Sequence, residues 1–180
     1  MRRELLLMNN KKLLRILVPV LIAITLTAIW IFKTHPTPTV IDEDIGKIED
    51  FVLVASSVNL DELKRYKLPI IIDFGSDSCI PCQQMAPVLE TMNEEMQGKA
   101  IIKFVDVWKY RDAAKDFPVQ VIPTQVIYDS EGKPYTPSEE IGIELTMYSS
   151  KETKEHVFTV HQGGLTDEQM REILKDMGVE

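Results

Sequence analysis

Thiols are scarce in this chain. Of 180 residues only two are cysteine, Cys79 and Cys82, and only three are histidine. A small exported domain that relied on disulfide staples would show several cysteine pairs at longer spacing. A bridge across a two-residue gap closes so short a loop that it adds little chain-entropy stabilisation. A zinc site needs four ligands, or three and a water. There is no second C-x-x-C, and His156 and His161, five apart on an expected strand, point to opposite faces, so no metal site is expected. Cations are also in deficit, with 20 Lys and Arg against 28 Asp and Glu. Six of those cations but only one acid fall in residues 1–33, which leaves fourteen cations against twenty-seven acids in the remainder. Such a surface offers no basic patch to nucleic acid and stands off from anionic headgroups. Repeats and low-complexity tracts are missing too, and the aromatic residues are scattered without a stacking pattern.

The amino end reverses the charge balance. Arg2, Arg3, Lys11, Lys12 and Arg15 face only Glu4, and residues 16–32 then run without a charge. Seventeen residues at about 1.5 Å each lie near the lower limit for crossing a hydrocarbon core of roughly 30 Å. Leu13 and Leu14 extend the run, and Trp30 suits an interface. A cleaved signal peptide begins similarly but ends in a small-x-small site, whereas here W-I-F-K follows. The positive side stays inside, so the expected order is a cytoplasmic basic segment (1–15), a single-pass transmembrane anchor (16–32), a Pro/Thr-rich linker (33–48) and one extracytoplasmic domain (49–180).

Within that domain, hydrophobic patterning predicts strands over 51–57, 68–75, 100–108, 124–129 and 156–161, with helices over 59–66, 79–97, 109–117 and 166–177. Asn59 and Thr166 are natural N-caps, and Gln169 completes a capping box with Thr166. The order β-α-β-α-β-α-β-β-α calls for an α/β sandwich of three layers around a central mixed sheet. Residues 133–155 are long for a hairpin connection and read as an insertion, folded onto the domain or forming a lid.

Cys79 and Cys82 fall where the buried strand 68–75 hands over to a helix. The free N–H groups and positive dipole end of a helix starting near Cys79 favour thiolate over thiol. Cys79 is then the attacking nucleophile, and Cys82, one turn deeper, the resolving thiol. Pro81 is tolerated in a first turn but removes one N–H donor near the sulfurs. No histidine lies between the cysteines to favour the thiolate further, which leans toward a reducing pair.

The segment D-F-G-S-D-S-C-I-P-C-Q-Q-M-A-P (73–87) resembles the active-site segment of the thioredoxin family, with Asp73 six residues before the first cysteine and Pro87 eight after it. V-I-P-T (121–124) resembles the family's cis-proline loop, D-S-E-G-K (129–133) its final hairpin turn, and G-G-L-T-D-E-Q-M-R-E-I-L its closing helix. The resemblance runs discontinuously over about residues 48–180 and implies a thioredoxin-like fold. It also implies that Asp73 relays the proton of Cys82, and that a cis bond before Pro123 brings the Ile122 backbone beside Cys79 to pair with an extended substrate. Ile80 and Pro81 would complete the substrate surface. Two departures stand out: Ser78 replaces the aromatic usual before the first cysteine, and Ile80 replaces the glycine usual after it. A buried lysine that accompanies the aspartate in some members has no clear counterpart, because strand parity turns either Lys103 or Phe104 inward.

The expected function is a membrane-tethered thiol–disulfide oxidoreductase that reduces disulfides of exported proteins, an apocytochrome c among the candidates. It would need no cofactor beyond the Cys79–Cys82 disulfide and would draw electrons from a transmembrane donor protein. The alternatives are an oxidase that introduces disulfides and a non-catalytic metal-binding or adaptor module on the same fold.

Overall fold

The computed structural model describes residues 50–180 together with Val20. The chain divides into two units, Met1–Ile45 and Gly46–Glu180. The expected basic segment (1–15), membrane anchor (16–32) and linker (33–48) lie, Val20 apart, outside the described residues. Among the described residues no helix is long and apolar enough to cross a membrane.

The second unit is organised around β1 (Ile70–Gly75), every residue of which is buried. Its three consecutive isoleucines and Phe74 suit a strand covered on both faces. β2 (Ile101–Asp106) runs parallel to it with Ile70 opposite Ile101, and β3 (Thr124–Tyr128) runs antiparallel on its other side with Asp73 opposite Gln125. β4 (Thr146–Ser149) and β5 (His156–Gln162) complete a mixed sheet in the order β2-β1-β3-β5-β4.

Strand alternation sends the apolar side chains to two cores. On one face Ile71, Ile102 and Ile127 pack with Met85, Leu89 and Met92 of α2 (Ile80–Glu95) and with Met170, Ile173 and Leu174 of α3 (Asp167–Asp176). On the other, Ile70, Ile72, Phe74 and Val126 pack with Leu63 of α1 (Leu60–Lys64) and with Phe117. This is the three-layer α/β sandwich that the patterning predicts. The helix starts are those of the sequence reading: Glu62 N–H donates to Asn59 Oδ1 (3.3 Å), and Thr166 and Gln169 form a capping box.

Three elements differ from expectation. The strand expected over 51–57 shrinks to one parallel bridge, Val54 to Phe104, flanked by two backbone hydrogen bonds. Phe51 is still helical and Ser56 turns away, so the segment touches the edge of β2 only briefly. The helix expected over 109–117 is a 3₁₀ turn at Arg111–Ala114. The Asp106 carboxylate accepts the N–H groups of Trp108 and Lys109 (2.9 Å each), which bends the chain into a turn before a helix can begin, and Pro118 closes the segment from the other side.

The third difference lies in residues 133–155. They fold onto the domain, one of the two arrangements expected, and the difference is the edge strand β4 that they supply, which the short, polar-flanked sequence did not announce. Tyr135 and Ile143 are buried, and Ile141 and Leu145 pack against the α2/α3 core. Asp176 of α3 accepts from the Tyr135 hydroxyl and from Ser138 N–H (3.1 Å), while His161 Nδ1 meets the Glu144 carbonyl at 2.9 Å.

Removing the Asp176 carboxylate orphans the Tyr135 hydroxyl. Asp176→Ala is expected to cost about 1–2 kcal/mol of stability, read as a lower Tm, and to speed amide exchange across residues 136–145 while β1 and α2 stay protected. Unchanged exchange in that stretch would mean that its apolar contacts hold it alone.

Candidate active site

The two sulfurs owe their position to a loop tied at both ends. As β1 ends, Gly75 O accepts from Val107 N–H (2.9 Å), and the buried Asp106 carboxylate accepts from Asp77 N–H (3.0 Å) and the Ser76 hydroxyl (3.4 Å). Burial raises the pKa of Asp106, but three backbone N–H donors outweigh it and hold the carboxyl below its usual range. Lys109 also pairs with Asp77, which ties the loop after β2 to the same turn. Cys79 N–H donates to Ser76 O (3.1 Å), and the chain enters α2 with Cys79 as its N-cap, without a side-chain capping bond and with no acid in the first turn.

Cys79 and Cys82 form a disulfide with Cα atoms 5.2 Å apart. Cys79 is the outer of the two, 9% exposed against 4%. Its Sγ lies 3.8 Å from the Ile122 carbonyl, and the Ile122–Pro123 bond is cis. Gly163 N–H donates to Pro123 O (2.9 Å), so the residue that follows β5 anchors that loop. Around the outer sulfur stand Ile80 (69% exposed), Val121 (52%) and Pro81, an apolar rim open to solvent.

Below the disulfide lies a carboxyl enclosed by protein. Asp73 is fully buried, and its Oδ1 accepts a 2.5 Å hydrogen bond from Gln125 Nε2, which also lies 3.4 Å from Met85 Sδ. Asp73 Oδ2 has no partner. Burial raises the Asp73 pKa to about 7 against the lowering effect of the Gln125 hydrogen bond. The question of strand parity is answered here: Phe104 sits opposite Asp73, while Lys103 is one residue off, opposite Ile72, and donates to Val52 O (2.7 Å). Gly75 makes the arrangement sterically possible. A Cβ there would lie 2.9 Å from the Phe104 ring, 3.1 Å from Asp73 Oδ2 and 3.3 Å from Cys82 Sγ. The inner sulfur, the free carboxylate oxygen and an aromatic edge thus converge on one bare backbone position.

Cys79, Cys82, Asp73, Ile122 and Pro123 come together as the sequence reading places them, with Ile80 and Pro81 at the solvent rim. That reading missed Gln125 and Gly75, and it left Phe104 as one of two β2 residues that could turn inward. A signal for Gln125 was present, since a carboxamide inside the buried run T-Q-V-I-Y needs a partner. Nothing local marks Gly75. Among the described residues no three metal-ligating side chains cluster; His156 binds Thr159 Oγ1 (2.8 Å) and His161 the Glu144 carbonyl.

Residues 51–144 match the family model for thioredoxin. The chain is 40% identical over 70 residues to thioredoxin 1 of Chlorobaculum tepidum, covering 38% of this chain and 69% of that protein. It is 32% identical over 77 residues to the chloroplastic thioredoxin Y of rice, Oryza sativa subsp. japonica, covering 42% of this chain and 45% of that relative. The match therefore spans less than half of the rice protein's length. Among solved structures, chloroplastic thioredoxin z superposes over 71% of this chain and 94% of its own, with a TM-score of 0.49 and 23% identity.

The raised pKa of Asp73 has a definite consequence for stability. Below pH about 3.9, the ordinary carboxyl value, folded and unfolded chains both hold the proton. As pH rises the unfolded chain releases it first, so folding stability declines until the folded carboxyl itself ionises near pH 7. Above that the full cost remains, about 4 kcal/mol. Oxidised Asp73→Asn is therefore expected to be more stable than the parent by about 4 kcal/mol at pH above 8 and by much less near pH 5, measured by denaturant unfolding at each pH. A gain that did not change with pH would show that the carboxyl is not titrating in the buried state.

Proposed function

The chain belongs to the thioredoxin family, and from that premise we propose that it is a thiol–disulfide oxidoreductase that reduces disulfides of exported proteins. The observation that carries this reading is the pair of contrasting sulfur environments. Cys79 Sγ lies at the start of α2, 3.8 Å from the Ile122 carbonyl, and Cys82 lies inside, beside the buried Asp73.

The reduced protein acts in two displacements. The Cys79 thiolate, favoured by the free N–H groups of α2, attacks one sulfur of a substrate disulfide; a Cys79–substrate bond forms and the other substrate sulfur leaves as a thiolate that takes up a proton. Backbone groups of Ile122 pair with the extended substrate, and Ile80, Pro81 and Pro123 contact its side chains. Cys82 then gives its proton to Asp73 and attacks Cys79 Sγ, forming the internal disulfide and expelling the second substrate thiolate. Asp73 is suited to this because a base with a pKa near the working pH transfers protons in both directions. A cavity of about 280 Å³ behind Cys82, lined by Leu53, Ala86, Leu89 and Phe104, gives water a way to the inner sulfur.

The basic end followed by an uncharged run over 16–32 supports a membrane tether with the catalytic domain outside the cytoplasm. A reductant there requires electrons delivered across the membrane, so the reading includes a transmembrane dithiol donor. Acceptors are oxidised exported proteins, with apocytochrome c as one candidate.

Two measurements test the proposal. Cys82→Ser is expected to accumulate mixed disulfides through Cys79, identified by mass spectrometry, while Cys79→Ser does not; equal trapping by both variants would reverse the assignment. Equilibration with glutathione is expected to give a reduction potential well below about −200 mV, whereas a value near −120 mV would make the protein an oxidant.

A further inference from the structure

Asp73 has two carboxylate oxygens in different situations. Oδ1 is held by Gln125 Nε2 at 2.5 Å, and Oδ2 is buried, unpartnered and turned to the bare face of Gly75, where Cys82 Sγ also lies. We propose that Gln125 is a positioning residue for the exchange reaction: by holding Oδ1 it aims Oδ2 at the Cys82 thiol as the proton acceptor and supports the ionised carboxylate by a neutral donor. This rests on the reading of Asp73 as the proton relay.

The neighbours of Asp73 leave that task to Gln125. Phe104 faces the carboxyl from β2, and from α2 Cys82 approaches it while Met85 meets Gln125. Lys103 is directed to the other face of β2 and donates to Val52 O. Asp106 is occupied by the turn after β1 and the loop after β2, and Glu90 of α2 is exposed. His161 lies beyond Gln125 on β5, with its ring against the Glu144 carbonyl. Gln125 itself is fully buried, its side chain fixed by Asp73 and Met85, and its Oε1 is left without a partner. A carboxamide suits a group that cycles between acid and carboxylate. Its N–H donates to the carboxylate, and after rotation its carbonyl accepts from the acid. A leucine there would serve neither state, and a lysine would hold the carboxylate ionised.

In the step concerned, the Cys82 thiol proton passes to Asp73 Oδ2, a Cys82–Cys79 bond forms, and the bond from Cys79 to its adduct breaks with loss of a thiolate. The experiment follows that step alone, through release of thionitrobenzoate from its mixed disulfide with Cys79, as a function of pH. The parent is expected to show an inflection near pH 7 that Asp73→Asn lacks. In Gln125→Leu, loss of a hydrogen bond to a charged group moves that inflection up by about one unit, slows release about fivefold at pH 7, and leaves the rates to converge at high pH. Gln125→Asn, whose shorter side chain keeps the amide but withdraws it from Oδ1, is expected to move it in the same direction, and serves if the leucine variant does not fold. An inflection present in the parent, absent in Asp73→Asn and unmoved in both Gln125 variants overturns the role of Gln125 while sparing Asp73. Identical profiles for the parent and Asp73→Asn overturn the relay on which the role depends.

Discussion

A strand hydrogen-bonded on both sides and packed on both faces has nowhere to put a charge, yet β1 carries an aspartate at its centre. Because β2 and β3 fix its backbone, Asp73 cannot swing toward water, and its carboxyl stays under the disulfide with a single hydrogen bond. Desolvation then sets its chemistry, poising the group near neutrality where an ordinary aspartate would be fully ionised. The arrangement reduces the stability of the fold above neutral pH, and the apolar layers on either side of β1 offset that cost.

The same strand end governs the sulfurs. Gly75 has no side chain, so the Phe104 edge, Asp73 Oδ2 and Cys82 can share one small space. One residue further on, the Asp106 carboxylate gathers N–H groups from both the active-site turn and the loop after β2. A fixed turn delivers Cys79 to the N-cap of a 16-residue helix, and Gly163, just after β5, fixes the opposing proline loop. The outer sulfur therefore meets a backbone carbonyl and an apolar rim, while the inner one meets an acid. That asymmetry gives two chemically identical thiols different roles in the proposed mechanism.

Residues 133–155 extend this frame without covering it. Their buried side chains join the α2/α3 core, Asp176 clamps their first half, and β4 lengthens the sheet beyond β5. The contact from the Glu144 carbonyl to His161 brings the segment to the end of β5, the strand that also steadies the proline loop.

Much of this was legible in the chain itself, because the signals were local. The uninterrupted apolar run of β1, the capping box at Thr166, the two thiols at a strand-to-helix junction and the V-I-P-T segment each carry their meaning within a few residues. The 51–57 and 109–117 segments misled for the opposite reason. Their apolar or helical patterns were intact, but an edge contact limited to Val54 and the side-chain hydrogen bonds of Asp106 decided their conformation. Residue order alone thus determined the layers, the cysteine pair and the acid beneath it. Tertiary structure decided which β2 residue faces that acid, that a glutamine from the neighbouring strand holds it, and that a glycine leaves it room, because register and close approach arise only when strands distant in sequence are laid side by side.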